Sequence, residues 1–159
     1  MAAWQFPTFL VPDTWAVDNA PRLNSYLKED GWELNDAWLE FHRLEELTLR
    51  LDAILPRGRA WSDDMIKWQH ADHDSDVDIF SENGRISEIR FRLDLRGKVR
   101  PLARDIVEIA QALQLRFLIM EKEKIIPPIL DAYLTEAATS RACEFVRDPR
   151  GFLESLPKE

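Results

Sequence analysis

The chain has 159 residues, of which 45% are hydrophobic and 31% are charged, and its formal net charge is −8. This length and composition are typical of a globular protein with one core, so we expect a single domain over residues 1–159. The negative charge argues against nucleic acid as a partner, because binding to phosphates needs clustered lysine and arginine. It is compatible with a basic protein partner.

The start of the chain and its cysteine content favour a cytoplasmic protein. The opening "MAAWQFPTFLVP" has no basic segment and no long apolar stretch, so it predicts neither a signal peptide nor a membrane span. Cys143 is the one cysteine, so no intrachain disulfide can form. That composition suits a reducing compartment.

The N-terminal part of the chain predicts helices. Residues 1–18 are expected to be extended or irregular, because Pro7 and Pro12 interrupt them. Residues 19–31 predict a short helix that ends at a glycine. The clearest helical periodicity covers residues 36–55, where apolar side chains recur at steps of three and four.

The period changes to two between residues 65 and 95, which predicts an antiparallel sheet. "MIKWQ" and "SDVDIF" are candidate strands, and "ISEIRFRLDL" alternates between apolar and charged residues throughout. The intervening "ENGR" is a strong hairpin signal.

Helical periodicity returns over residues 99–113. "LRFLIM" then predicts a further strand, and Pro127 and Pro128 begin a helical tail that ends in a short helix capped by Asp148. The chain therefore predicts an α+β domain: N-terminal helices, an antiparallel meander at about 65–95, a helix, a further strand and C-terminal helices.

Four aspartates occupy every second position of one short segment: Asp72, Asp74, Asp76 and Asp78. A calcium loop of the EF-hand type needs glycine at its sixth position and glutamate at its twelfth, and neither register that begins in this segment has them. A zinc site through the two neighbouring histidines lacks the usual CxxC or HExxH partners. We expect no catalytic metal ion and no cofactor.

An enzymatic alternative comes from "SDVDI", which resembles the Ser-Asp-x-Asp motif of nucleotidyltransferases. The resemblance implies that Asp76 and Asp78 hold Mg²⁺ on a nucleotide, with Asp94 as a third carboxylate. That family has a Gly-Ser turn upstream to bind phosphates. Here Gly58 is followed by Arg59 and lies far from the strand, so the motif lacks part of its context.

Hairpin register offers a structural explanation of the aspartates. A three-residue loop over 82–84, with Gly84 at positive φ, sorts Val77 and Ile89 onto one apolar face. The opposite face then pairs Asp78 with Glu88, Asp76 with Arg90, and Asp74 with Arg92. We therefore expect the aspartates to lie on a solvated strand face.

Residues 65–156 also resemble a known group of proteins. The order of features is Trp68, "DVDIF", "NGRISEIRFRLDLR", an apolar helix, "LRFLIM", a helix that begins with proline, and "SRACEFVRDPRGFLESL". It is similar to that of small bacterial proteins, some of which look like immunity proteins encoded beside polymorphic or contact-delivered toxins. The resemblance implies a non-catalytic protein that neutralises a toxin by direct binding.

Such a protein needs a surface that complements its toxin, and many toxin domains are basic nucleases. The acids that the hairpin leaves uncommitted are Asp63, Asp64 and Asp72, and His70 and His73 lie beside them. We predict these five residues as the partner-binding edge. A small intracellular adaptor with another partner is the remaining alternative.

Overall fold

The computed structural model describes residues 1–157 and has the α+β architecture that the sequence predicts. Six antiparallel strands form the main sheet, and two short strands form a separate hairpin. The strands are β1 (Gln5–Pro12), β2 (Leu27–Lys28), β3 (Gly31–Trp32), β4 (Met65–Gln69), β5 (Asp76–Glu82), β6 (Arg85–Asp94), β7 (Leu115–Ile119) and β8 (Lys124–Ile126). The α-helices within residues 1–157 are α1 (Asp13–Asn19), α2 (Leu44–Asp52), α3 (Arg100–Leu113), α4 (Leu130–Ala138), α5 (Arg141–Arg147) and α6 (Pro149–Ser155).

The N-terminal segment, expected to be extended or irregular, is extended over Gln5–Pro12, but the sequence did not predict that it forms β1 near the middle of the sheet. The order of strands is β4-β5-β6-β1-β7-β8, and all eight residues of β1 are buried. A central strand normally excludes proline, which lacks the N–H that a sheet needs. Pro7 pairs only with β6 and Pro12 only with β7, so each proline lies where β1 has a single neighbour.

The long helix predicted at 36–55 is also wrong in its first part. A short 3₁₀ helix, Asn35–Trp38, precedes α2, and the segment between them is not helical. Arg43 donates to Glu46 on α2 and to the carbonyl of Ala112 on α3, so a tertiary contact holds the break. The predicted apolar residues do pack into the core, but they lie on separate segments and not on one continuous helix.

The short helix predicted at 19–31 is replaced by a 3₁₀ helix, Ala20–Tyr26, and the β2–β3 hairpin. The later predictions agree better with the structure. The helix predicted at 99–113 is confirmed by α3, and the strand predicted at "LRFLIM" is confirmed by β7.

The two faces of the main sheet have different partners. One face packs on α2, α3 and α4 around Phe91, Phe117 and Tyr133. The other face is apolar across β1, β7 and β8, where Phe9, Leu118 and Ile125 pack against α1 and the segment that follows it. The β4–β5–β6 half of this second face carries polar side chains, described below.

The β5–β6 hairpin turns through two residues, so the predicted three-residue loop is wrong. Asn83 and Gly84 have φ values of 53° and 78°, and Glu82 pairs with Arg85. These are the positive φ values of a type I′ turn, and the positive φ expected for Gly84 is confirmed.

The register between β5 and β6 shifts by one residue at a bulge between Phe80 and Ser81, which changes the side chains that lie opposite each other. Val77 therefore lies opposite Phe91 and Ile79 opposite Ile89, so the predicted apolar face is formed with shifted partners. Without the bulge, the same turn would place aspartates opposite apolar residues.

Gly84→Ala is expected to lower the free energy of unfolding by about 1–2 kcal/mol, because a left-handed conformation is unfavourable for a residue with a Cβ. Nothing lies within 4 Å of an added Cβ at Gly84, so the loss would come from the backbone and not from a clash. Gly97→Ala is the matched control, since its surroundings are equally open and its φ lies outside the left-handed region. Urea denaturation measures both, and equal stabilities of the two variants would contradict the role of the turn.

Candidate functional site

The five residues predicted to bind a partner fall into two groups at the ends of β4. Asp63 and Asp64 precede this strand and are exposed, whereas His70, Asp72 and His73 follow it. A strand of five residues spans about 17 Å. The structure therefore brings the last three residues together and places the first two elsewhere.

His70 and His73 stack directly on each other. Their ring centroids are 3.4 Å apart, and the ring planes are inclined by 12°. The backbone N–H of Asp72 donates to Nδ1 of His70 over 3.1 Å, and that of Ser75 donates to Nδ1 of His73 over 3.3 Å. A backbone N–H can only donate, so each Nδ1 is an acceptor and each imidazole is neutral in this arrangement.

The surroundings favour the neutral form of His73. Burial and then the neighbouring His70 lower the pKa of His73. Three nearby carboxylates oppose that shift without reversing it: Asp94, Asp72 and Asp74.

The loop that holds the two histidines is anchored to the main sheet. Asp94 accepts a hydrogen bond from the backbone N–H of Asp74 over 3.0 Å, and the N–H of Asp94 donates to Oγ of Ser75 over 2.8 Å. Gln5 on β1 donates to the carbonyl of Asp74 over 2.6 Å. Burial would raise the pKa of Asp94, but hydrogen bonds from the Arg96 side chain and from backbone N–H groups lower it to about 2.

Asp76 and Asp78 lie beneath basic side chains and not on a solvated face, so that prediction is wrong. Their side chains are 4% and 0% exposed. Three cations from the strands on both sides cover them: Lys67, Arg90 and Arg92. We call these five side chains the ion network.

The bonds of the ion network use every carboxylate oxygen. Lys67 Nζ lies 2.5 Å from Asp76 Oδ2 and 3.1 Å from Asp78 Oδ1. Arg92 Nε lies 2.8 Å from Asp76 Oδ1, and Arg90 Nη2 lies 2.8 Å from Asp78 Oδ2. The predicted pairs of Asp76 with Arg90 and of Asp78 with Glu88 are therefore wrong.

The predicted pair of Asp74 with Arg92 is also wrong, because Asp74 contacts Trp4 and Arg96 instead. The signal that the sequence interpretation missed is Lys67 in "MIKWQ", which lies opposite Asp78. Lys67 supplies a cation from β4, which pairs with β5 on the side opposite to β6.

The chemistry of the ion network is that of a structural cluster. Burial raises the pKa of Asp76, but hydrogen bonds from Arg92 and Lys67 lower it further, so the carboxylate is held ionised. A Mg²⁺ ion at Asp76 and Asp78 would have to displace these cations. Across residues 1–157, no group of three or more His, Cys, Asp or Glu side chains is arranged to hold a metal ion.

A second charged surface lies on the N-terminal elements that cover β1. Residues 13–40, which we call the acidic cap, contain seven acidic and two basic residues, a net charge of −5. Asp13 pairs with Arg116 on β7. The other six are exposed and form no ion pair within the described chain: Asp18, Glu29, Asp30, Glu33, Asp36 and Glu40.

Depressions of about 430, 230 and 210 Å³ surround the 3₁₀ helix Asn35–Trp38, and Asp36 lines all three. Leu39 lines two of them and is 51% exposed. Trp15 lines the depression of about 210 Å³, and its buried Nε1 has no hydrogen-bond acceptor among residues 1–157. The acidic cap thus combines unpaired carboxylates with an exposed apolar centre.

Two of the predicted partner-binding residues lie toward the same end of the sheet as this surface. Asn35 donates to Glu82 over 3.2 Å, which joins the acidic cap to the β5–β6 turn. Ser81 donates its backbone N–H to the carbonyl of Asp64 over 2.7 Å. Asp63 and Asp64 therefore lie near the tip of the hairpin, whereas the histidine loop lies near the start of β1.

Comparisons with known proteins give no relative for this chain. No family model matches it, and no curated protein and no solved structure matches it either. The resemblance to immunity proteins therefore stays a prediction. In the part of the chain that the structure describes, no helix has the length and apolar character needed to cross a membrane.

Proposed function

We propose that the protein is a non-catalytic binding protein whose acidic cap engages a basic protein, and that this partner is a toxin domain that it neutralises. The observation that carries the proposal is the contrast between its two sets of acids. Asp76 and Asp78 are neutralised internally, whereas the six exposed acids of the cap have no cationic partner within residues 1–157.

The composition of the acidic cap supports a protein partner. A specific interface combines an apolar centre, which provides contact area, with a polar rim that fixes orientation. Leu39 supplies the exposed apolar centre, with Asp36 and Glu40 beside it. Uncompensated negative charge accelerates encounter with a basic surface and disfavours acidic proteins.

Glu82, Asp63 and Asp64 extend this acidic surface along the hairpin end of the sheet. We include them as flanking residues of the binding surface, with the acidic cap as its main part. Asp72 lies at the other end of β4 and is assigned no contact with the same partner. The nucleotidyltransferase alternative would need the ion network to open, because Lys67, Arg90 and Arg92 engage the carboxylates of Asp76 and Asp78.

The test is co-expression and pull-down with the toxic product of an adjacent gene, followed by stopped-flow binding. Asp36→Lys with Glu40→Lys is expected to slow association about tenfold at low salt and to flatten its dependence on salt, because the steering field is removed. Stability should change by less than about 0.5 kcal/mol per exposed site. The control is Glu108→Lys with Glu144→Lys, which changes the net charge equally on exposed helical positions elsewhere.

Each outcome has a defined meaning. If the adjacent product is harmless or does not bind, the toxin proposal is rejected and an adaptor function replaces it. If binding occurs and both double variants slow it equally, net charge and not the acidic cap accounts for the effect. If only Asp63→Asn with Asp64→Asn weakens binding, the surface lies at the hairpin end alone.

A further inference from the structure

The histidine stack is joined to the backbone of the loop over residues 70–75. Both Nδ1 atoms accept backbone N–H groups, from Asp72 and Ser75. Gln69 also donates to the carbonyls of His73 and Ser75, over 3.1 and 3.3 Å. Two backbone N–H groups of the loop, those of Asp72 and Ser75, therefore depend on both imidazoles being acceptors.

Protonation removes that acceptor. An imidazolium carries a proton on both nitrogens, so its Nδ1 can no longer accept a hydrogen bond. The backbone N–H that points at this Nδ1 then loses its acceptor and faces another donor. Protonating both rings would also place two positive charges at a centroid separation of 3.4 Å. The folded loop thus opposes protonation of His73, whose pKa is lowered by burial and by the neighbouring His70.

We propose that the His70–His73 stack is an acid-sensitive latch that holds the loop over residues 70–75, with Asp72, against the end of the sheet and releases it at mildly acidic pH. The inference goes beyond the proposed function, because it concerns the free protein and needs no partner. It assigns a conformational role to two residues that were predicted only as partner contacts.

Charged groups from the loop and from the end of β6 surround the two histidines. From the loop itself these are Asp72 and Asp74, and from the end of β6 they are Asp94 and Arg96. Asp94 has a pKa of about 2, so it stays ionised while histidine titrates. The contacts from β4 and β1 come from Gln69 and Gln5, which do not titrate.

The direction of the pH effect follows from His73. Its pKa in the folded protein is lowered from the ordinary value of 6.5, so the unfolded chain binds more protons in the interval below 6.5. The stabilising contribution is complete above pH 6.5. It decreases as the pH falls from 6.5 through the lower pKa of the folded state.

Nuclear magnetic resonance of the full chain tests the latch, because the protein has only three histidines. Above pH 7, long-range ¹H–¹⁵N spectra are expected to show both His70 and His73 with the proton on Nε2. As the pH is lowered to 5, the amide signals of Asp72 and Ser75 should move toward unfolded-chain positions and lose protection from exchange. The pH midpoint of these amide changes should coincide with the titration midpoint of His73.

Asparagine provides the matched variant, because its Oδ1 replaces Nδ1 as an acceptor and does not titrate. His70→Asn with His73→Asn should keep the amide signals of Asp72 and Ser75 unchanged between pH 8 and 5. His42→Asn is the control, since His42 is exposed in the segment before α2 and should leave the loop transition as in the wild type.

Three results would overturn the latch. The first is a proton on Nδ1 of either stacked ring at pH 8, and the second is wild-type amide signals that do not change with pH. The third is a double asparagine variant that shows the same pH transition as the wild type. The first two need no variant, so they decide the question even if the double substitution disturbs folding.

Discussion

Asp78→Ala is expected to lower the free energy of unfolding by about 3–5 kcal/mol, the usual effect of breaking a buried ion pair from one side. The Asp78 side chain is fully buried and accepts hydrogen bonds from Lys67, Arg90 and Arg92. Its removal leaves three cations around Asp76 alone. The loss comes mainly from the uncompensated positive charge and less from the lost bonds themselves.

Urea denaturation followed by tryptophan fluorescence measures this loss, with Asp63→Ala as the exposed control, which should change stability by less than about 0.5 kcal/mol. Arg90→Met added to Asp78→Ala should recover part of the stability, because it removes one of the unpaired charges. If Asp78→Ala costs no more than the control, or if the double variant is the less stable, the ion network does not stabilise the fold as described.

Tyr133→Ala should have an effect of similar size, about 3–5 kcal/mol, the range for truncating a large aromatic side chain in a core. Tyr133 on α4 is 0% exposed. Its ring centroid lies 4.7 Å from Phe117, 5.6 Å from Phe6 and 6.1 Å from Phe91. The side chain therefore joins α4 to three strands of the sheet.

Tyr133→Phe separates the ring from the hydroxyl. The Tyr133 hydroxyl lies 3.2 Å from Oγ1 of Thr8, and burial raises the pKa of Tyr133, which keeps the phenol protonated. The phenylalanine variant should lose about 1–3 kcal/mol, because the buried Thr8 hydroxyl is left without its partner. Equal losses in the alanine and phenylalanine variants, measured by urea denaturation, would show that the ring contacts contribute little.

The sequence by itself determined the elements whose patterns are local. The alternation of Ile89, Phe91 and Leu93 predicts one apolar face of a strand, and these residues are buried in β6. The helical stripe at 99–113 predicts α3, since its apolar spacing matches the helical period over four turns. The positive φ of Gly84 follows from turn chemistry alone.

The tertiary structure decided which segments are buried and which strands lie next to them. β1 is apolar on both faces and contains prolines, so it has no period that identifies a strand, and its place in the sheet depends on β6 and β7. Alternation in "SDVDIF" shows that Asp76 and Asp78 share a face, but not that this face is buried.

That burial depends on cations supplied by β4 and β6, which lie beside β5 only in the folded sheet. The loop in which His70 stacks on His73 is likewise held by Asp94, twenty residues beyond Asp74. Sequence periodicity reports the conformation of a segment. The environment of a charge is set by neighbours that are distant in the chain, and for that reason only the fold could place the candidate site.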